Sequence, residues 1–299
     1  MDNKGKLVDL SLNKSDEAEK VIHVKTTELT PFEDNPFHVN QDEGLNKLIE
    51  SIREFGVILP LIVRPQKEGG YEIISGHRRV LACKLAGIEN IPAFVRYMDR
   101  DTAVIALVDS NLHREHILPS EKAFAYKMKL EAIKHQGKRA NLTSDQLGQK
   151  YSVDIVAENS EDSKTQVQRY IRLTELISPI LKMVDEGQIA FSPAVEISYL
   201  TETEQSALLE NMQAESCTPS HAQAIRMKKL SQEGRLNTDV IYAIMQEEKP
   251  NQQEQIKLRR DRIKNFFPHD YSAKQIEDVI LKLLEQWHRR RERDHEQER

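Results

Sequence analysis

Segments with the pattern of β-strands are confined almost entirely to the part of the chain before Pro119. There, the apolar run 57–63 and the segment 71–75 are rich in β-branched residues, and residues 42–55 carry apolar side chains at helical spacing. After Pro119 the strand pattern nearly disappears, and residues typical of helix N-termini recur. The sequence therefore predicts an α+β protein, with a small α/β region first and helices after it.

Four segments follow from this pattern and from local composition. Residues 1–22 are polar and lack periodicity, which is typical of a flexible tail. We expect a folded α/β domain over 23–118, an all-helical domain over 119–248, and a linker with a C-terminal helix over 249–299. The last boundary lies in a polar stretch that is broken by Pro250.

The overall charge argues against a general attraction to nucleic acid. The chain has 299 residues, with 43 Lys and Arg against 48 Asp and Glu, a formal net charge of −5. Any nucleic-acid surface must therefore be local. The two cysteines, Cys83 and Cys217, are far apart and lack the spacing of a zinc site or a disulfide framework. No stretch approaches about eighteen apolar residues, so we expect no membrane span and a cytoplasmic protein.

The segment 73–79 passes from a strand to a helix through Gly76. Such a junction leaves backbone N–H groups of the helix unpaired, with the positive end of the helix dipole behind them. Two arginines at the start of the helix add planar donors that suit phosphate oxygens. We therefore predict an anion site here, and a plain turn with solvated arginines is the alternative. The residues of this site are Ser75, Gly76, His77, Arg78 and Arg79.

A second cluster lies at the end of a predicted helix, where Asn111 and Arg114 are three residues apart. On a helix this spacing places the amide oxygen and the guanidinium on the same face. Asn111 is then a candidate metal ligand and Arg114 a candidate phosphate ligand. Ordinary polar residues at a helix end are the alternative interpretation.

Two short helices, predicted over 142–151 and 163–176, suggest a helix-turn-helix, although the connection 153–162 is longer than usual. The second helix presents outward side chains that are able to bond base edges and phosphates in a major groove. These candidates are Lys164, Thr165, Gln166, Gln168, Arg169 and Arg172. Residues 121–182 contain eleven Lys and Arg against eight Asp and Glu, a locally positive region in an acidic chain. A helical packing module with a solvated polar face is the alternative.

Taken in order, these motifs resemble the ParB family of partition proteins. The matching stretches are Asn35-Pro36-Phe37-His38, Gly56 to Arg64, Ser75-Gly76-His77-Arg78-Arg79 with Ala82, Asn111-Leu112-His113-Arg114-Glu115 and Gly187 to Ala194. The resemblance implies an N-terminal domain that binds CTP with Mg²⁺, and a central helix-turn-helix that binds DNA. It assigns the nucleotide phosphates to Gly76, Arg78, Arg79, Asn111 and Arg114.

The chain departs from the usual family pattern in both motifs and in the tail. Where the family usually has glutamate, this chain has His77 in the first motif and Ser110 in the second, so a carboxylate expected at Mg²⁺ is missing. In many relatives a tail arginine stimulates the partner ATPase ParA. No arginine here precedes Arg53, so Lys4 or Lys6 would have to serve.

The same N-terminal fold occurs in sulfiredoxin-like enzymes, which need a cysteine in the turn that precedes the helix. This chain has Gly76 there, and Cys83 lies further along among apolar neighbours. We therefore predict that Cys83 is a buried small hydrophobe and not a nucleophile.

The C-terminal segment carries one apolar stripe at helical spacing. Its members are Ile276, Val279, Ile280, Leu283, Leu284 and Trp287. A helix after a polar linker has little local core to join, so the stripe favours a homodimer, with packing inside one chain as the alternative. The run 289–293 is rich in arginine, which suits either non-specific phosphate contact or a cationic helix end.

Together these features predict a dimeric, sequence-specific DNA-binding partition protein of the nucleoid that acts in chromosome or plasmid segregation. A CTP-responsive N-terminal switch would close the dimer around DNA, a ParA-type ATPase would be a partner, and CTP turnover would be weak at most. The alternative is a helix-turn-helix transcriptional regulator whose first domain serves only packing or dimerisation. A further alternative is an enzyme that acts on a nucleotide without DNA.

Overall fold

The computed structural model describes residues 20–39, 41–114, 116–139, 153–158, 160–247, 266–267 and 271–297. The chain divides into two compact units, Met1–Glu247 and Glu248–Arg299, and each is described by itself. In the described ranges, every helix is too short or too polar to cross a membrane.

A five-stranded mixed sheet lies at the start of the larger unit. Its strands are β1 (Val21–Lys25), β2 (Leu29–Thr30), β3 (Leu61–Pro65), β4 (Tyr71–Ser75) and β5 (Asn90–Val95). Their spatial order is β1-β5-β3-β4-β2; β3 runs parallel to β5 and β2 parallel to β4, while the other two pairs are antiparallel. Val21 and Ile22, which were predicted to lie in the tail, belong to β1, where Val21 pairs with Phe94 of β5.

Helices cover both faces of this sheet. They are α1 (Glu43–Phe55), α2 (His77–Ala86) and α3 (Arg100–Leu112). Neighbouring residues of a strand point to opposite faces. Accordingly, Ile73 is buried with α1 and α2. Ile74 is buried on the other face, with α3 and with the next helix, α4 (Pro119–Arg139). The predicted small α/β region is therefore present, with a core on each side of β4.

The predicted strand over 57–63 begins only at Leu61. Gly56 ends α1 with a positive φ of 72°, which turns the chain away from the helix. Ile58 and Leu59 then lie in a loop, where their side chains are 74% and 70% exposed. The apolar run therefore combines an exposed loop with a buried strand, which periodicity alone does not separate.

The rest of the larger unit is helical in the described ranges, as predicted. Its helices are α4 (Pro119–Arg139), α5 (153–158), α6 (Lys164–Arg172), α7 (Ser178–Asp185), α8 (Phe191–Ile197), α9 (Glu202–Ala214), α10 (His221–Gln232) and α11 (Thr238–Gln246). Capping boxes begin α9 and α10, at Thr201 and Ser220. One buried cluster, which includes Ile180, Ile197 and Leu208, holds α7 to α11 together.

The predicted helix pair is partly revised. Residues 142–151 lie outside the described ranges. The expected long connection contains α5 at 153–158, so the helix that leads directly into α6 is closer than predicted. The predicted helix over 163–176 consists of α6 and a following turn of 3-10 helix, Leu173–Glu175.

In the described part of the smaller unit, residues 266–267 and 271–297, a long helix, α12, spans Ala273–Gln297. Ile276 near its start is buried. Further along the same stripe, Leu283, Leu284 and Trp287 are 57%, 53% and 56% exposed. The predicted apolar stripe therefore lies largely open to solvent in the single chain.

Candidate functional site

The turn between β4 and α2 has a backbone that requires glycine. Gly76 is the N-cap residue of α2, with φ 109° and ψ 22°, and no side chain caps the helix there. A Cβ at this position would lie 2.4 Å from Cδ2 of Leu61. The N–H groups of the first helical turn are therefore left to water or to a ligand, as the sequence predicted.

Arg78 is held by an acidic residue that the sequence did not point to. Its Nη1 and Nη2 atoms donate to Oδ2 and Oδ1 of Asp42 at 3.0 and 2.8 Å. Asp42 also caps α1, because its Oδ1 accepts from the backbone N–H of Leu45 at 2.7 Å. These hydrogen bonds, that from Arg78 foremost, lower the pKa of the Asp42 carboxyl.

Arg79 faces the loop before β3. It donates to the backbone carbonyl of Leu59 and, at 2.7 Å, to that of Pro60. Burial lowers the pKa of this guanidinium from its ordinary value. Both bonds come from Nη1, so the N–H donors on Nε and Nη2 remain. Arg79 can therefore contact the loop and a phosphate at the same time.

His77 is a mostly buried neutral imidazole. Its Nε2 atom lies 3.4 Å from the backbone N–H of Phe32 and accepts from it. Burial, and then the nearby charge of Arg114, lower the pKa of His77 to about 4. At neutral pH this side chain therefore adds no positive charge to the turn.

Arg114 lies beyond the end of α3, which finishes at Leu112. Its guanidinium carbon lies 5.6 Å from the centroid of the Phe37 ring, and burial lowers its pKa. The nearby charge of Glu121 raises this pKa and that of Arg78 lowers it, so both charged groups lie near Arg114. The structure thus brings His77, Arg78 and Arg114 together.

Contrary to the prediction from the sequence, Asn111 does not share a helical face with Arg114. Its side chain is buried, and Nδ2 donates to the carbonyl of Leu107 at 2.7 Å and to Oγ of Ser110 at 3.3 Å. Because α3 ends before Arg114, the two residues do not share a helical face. The amide oxygen of Asn111 is the side-chain atom that is left to accept a bond from a ligand.

A Mg²⁺ site is not formed by the described residues. In the described ranges no group of three or more His, Cys, Asp or Glu side chains is placed to hold a metal. Asp42 is occupied by Arg78. Glu121 accepts from the backbone N–H of His38 at 2.8 Å and from that of Leu118 at 3.2 Å. Because Asp42 and Glu121 already accept these hydrogen bonds, the described residues near the turn offer no free carboxylate of the kind that holds Mg²⁺ in nucleotide sites.

Glu121 was missed by the sequence argument and has a clear role. It lies in the first turn of α4 and is 7% exposed, and it fastens the loop around His38 to that helix. The signal available in the sequence was an acid in the first turn of a helix that begins with a proline. Its partner is 83 residues away, which no local pattern reveals.

Cys83 is buried within the sheet domain, as predicted. Burial raises the pKa of its thiol. The thiolate is therefore disfavoured, and the position is a packing site in the core.

The predicted DNA-contact residues of α6 divide into two groups. Thr165 and Gln168 are exposed, and Ser163 caps the helix by accepting from the N–H of Gln166 at 3.3 Å. Lys164 is tied to Asp154 of α5 at 2.5 Å. The exposed surface of α6 is thus narrower than the sequence predicted.

Arg169 and Arg172 contact α8 and the residues just after it. Arg169 donates to Oγ of Ser192 at 2.9 Å and lies 4.9 Å from the Phe191 ring centroid. Arg172 donates to the carbonyl of Ser198 at 2.7 Å and lies 4.2 Å from the Tyr199 ring centroid. Both arginines, predicted to face outward, lie partly buried against neighbouring elements, where oxygens and aromatic rings contact them.

Comparison with known proteins places the chain in a family. The ParB N-terminal domain family matches residues 11–112. The chromosome-partitioning protein Spo0J of Thermus thermophilus is 30% identical over 207 residues, which cover 69% of this chain and 70% of that protein. The chain belongs to the ParB family.

Other family members match over a similar span. The "Probable chromosome 1-partitioning protein ParB" of Deinococcus radiodurans is 32% identical over 195 residues, which cover 65% of this chain and 61% of that protein. The C-terminally truncated ParB of Caulobacter crescentus, solved in complex with the centromeric parS site, aligns with TM-score 0.41 and 20% identity over 75% of this chain and 98% of that one. The chain therefore spans about three fifths of the length of the Deinococcus ParB.

Proposed function

We propose that this chain is a DNA-binding partition protein whose N-terminal domain is a CTP-responsive switch. The observation that carries the proposal is the position of α4. At its start, Glu121 accepts from the backbone N–H of His38, next to Phe37, whose ring lies against the guanidinium of Arg114. Lys122, the next residue, and Tyr126, about one turn later, both contact Oδ2 of Asp162 at 2.6 Å, just before α6 begins. One helix thus contacts both the predicted nucleotide domain and the predicted DNA-reading helix.

The nucleotide would bind at the Gly76 turn. Family membership supports CTP, and the uncapped N-terminus of α2 with Arg78, Arg79 and Arg114 supplies donors for its phosphates. Ser75 and His77 flank the turn and shape it. Asn111 is carried over from the family motif, with its amide oxygen as the available atom. The nucleotide would recruit Arg78 from Asp42, so binding would shift the pairing around α1.

DNA would be read by α6, with α5 as the supporting helix. Thr165 and Gln168 are placed to reach base edges, because they are exposed on one helix with Val167 buried behind it. Lys164 and Gln166 suit the phosphates beside them. Arg169 and Arg172 would act chiefly by fixing α6 against α8.

The exposed stripe of α12 supports a homodimer, since more than half of the surface of Leu283, Leu284 and Trp287 is open to solvent. Dimerisation would pair two α6 helices on a two-fold DNA site. A ParA-type ATPase is the expected partner, and the nucleoid in the cytoplasm the expected location. Nucleotide binding that joins the two N-terminal domains would close the dimer as a clamp on DNA.

The proposal is tested on the full-length chain in two steps. Selection from a random duplex library should enrich one sequence, and its absence would remove sequence-specific binding. CTP should then slow release of the protein from a closed circle carrying that sequence, but not from an open linear fragment. Release at equal rates with and without CTP would favour the transcriptional regulator. Multiple turnover of CTP without DNA would favour a nucleotide-directed enzyme.

A further inference from the structure

The charge around the Gly76 turn is mostly positive in the described ranges, although Asp42 pairs with Arg78 and Glu121 acts on Arg114. Arg78, Arg79 and Arg114 bring three guanidiniums to the turn or its flanks, and the start of α2 adds roughly half a positive charge. Guanidiniums remain charged even when burial lowers their pKa somewhat. Any bound group must therefore be strongly anionic.

Among the described residues, the two carboxylates of this region, Asp42 and Glu121, are already neutralised or bonded. Both oxygens of Asp42 accept from Arg78, and one of them also accepts from Leu45. Both oxygens of Glu121 accept from backbone N–H groups, and its Oε1 also lies 3.2 Å from Nδ1 of His38. A divalent cation drawn to either acid would have to displace these donors and approach a guanidinium.

The position where the family usually has glutamate holds an imidazole here. The lone pair of Nε2 of His77 is directed at the N–H of Phe32, and is not available to a metal. Ser110 replaces the second family glutamate, and its hydroxyl donates to the carbonyl of Leu107 at 2.9 Å. The amide oxygen of Asn111 is then a single neutral ligand, whereas Mg²⁺ in nucleotide sites is held by one or two carboxylates plus phosphates.

We propose that this pocket binds the polyphosphate of its nucleotide without a divalent cation, and that the three guanidiniums supply the charge that Mg²⁺ would otherwise supply. This inference rests on the proposed CTP site and specifies that CTP binds there without a metal ion. Mg²⁺ bound to CTP offsets the same phosphate charge that the arginines recognise, so Mg²⁺ should compete with the pocket instead of assisting it.

Titration calorimetry of the full-length protein with CTP distinguishes the possibilities, once in EDTA and once in millimolar Mg²⁺. The expected result is binding in EDTA that is as tight as in Mg²⁺ or tighter. An affinity at least tenfold higher in Mg²⁺ would overturn this inference and leave the proposed CTP site standing. No heat under either condition would remove the CTP site, and this inference with it.

A gain-of-function variant sharpens the test. His77→Glu places a carboxylate at the turn, so CTP affinity in EDTA should fall at least tenfold and be largely restored by Mg²⁺. Leu85→Glu is the matched control: it adds the same charge to the far end of α2, where Leu85 is 47% exposed, and should create no Mg²⁺ dependence. Circular dichroism confirms that each variant is folded. If the His77→Glu protein is folded and its affinity for CTP is the same with and without Mg²⁺, the proposal is contradicted.

Discussion

Arg78, near the start of α2, and Arg172, at the end of α6, were both predicted to contact a ligand and are held in different ways. Arg78 contacts a side chain, Asp42, that is itself about half exposed. Arg172 lies between the carbonyl of Ser198 and the ring of Tyr199. Nζ of Lys228 also lies over that ring, 3.6 Å from its centroid. A ligand can replace the first kind of partner at small cost, whereas the second kind is part of the packing between elements. An arginine whose partner is replaceable, such as Arg78, is therefore free to turn to a ligand more easily than Arg172 is.

The largest expected effect comes from His77, a mostly buried residue of the same Gly76 turn as Arg78. Its pKa is about 4 in the folded protein against an ordinary value of 6.5. The unfolded chain therefore takes up a proton first as the pH falls through 6.5, and about 3 kcal/mol of stability is lost between pH 6.5 and 4. Above pH 6.5 this contribution is fully present.

The measurement is the difference in unfolding midpoint between the wild-type protein and His77→Gln from pH 7.5 to 4. The wild-type protein should lose more stability than the variant over this range, because glutamine does not titrate. Parallel curves would show that His77 is protonated as readily in the folded chain as in the unfolded one.

Replacing Arg79 should have the next largest effect. Arg79→Ala removes a guanidinium that is fixed by the loop before β3, and CTP affinity should fall on the order of 100-fold, about 2.8 kcal/mol. Arg53→Ala, on the exposed surface of the same domain, is the control and should bind CTP normally. Isothermal titration measures both. Unchanged affinity in Arg79→Ala would separate Arg79 from the phosphate site.

Replacing Arg172 tests the other side of the comparison. Arg172→Ala loses a hydrogen bond to Ser198 and a stacking contact with Tyr199, so the free energy of unfolding should fall by about 2 kcal/mol. Denaturant unfolding measures this change. If stability is unchanged while DNA affinity collapses, Arg172 is a DNA ligand after all, and its contacts are as replaceable as those of Arg78.

Replacing Gln168 should affect recognition without affecting the fold. Gln168→Ala removes an exposed side chain from α6, so discrimination between the selected site and a mismatched one should fall by about 1 to 2 kcal/mol. Gel-shift competition measures it. Gln246→Ala, near the end of α11, is a control on another helix and should leave discrimination unaltered. Equal discrimination in all three proteins would remove α6 as the reading helix.

The sequence predicted those features that depend on near neighbours. The glycine at the β4–α2 turn and the burial of Cys83 follow from residues a few positions away, and both are present. The partners of the arginines were not predictable in this way. Asp42 is 36 residues from Arg78, and Ser198 is 26 residues from Arg172. Such pairings depend on how the helices pack, which periodicity does not encode.

The smallest expected effect would come from Arg78. Its side chain is 32% exposed and that of Asp42 is 48% exposed, so solvent replaces the lost contact in Arg78→Ala and the unfolding midpoint should change by no more than about 2 °C. Asp42 would still cap α1 through Leu45, but without its main stabilising hydrogen bond the pKa of its carboxyl should rise toward the ordinary value. An NMR titration of that carboxyl, run beside thermal unfolding, measures both effects. A large loss of stability would mean that the Arg78–Asp42 pair is a structural contact like that of Arg172, and a phosphate could then recruit Arg78 only by weakening the fold.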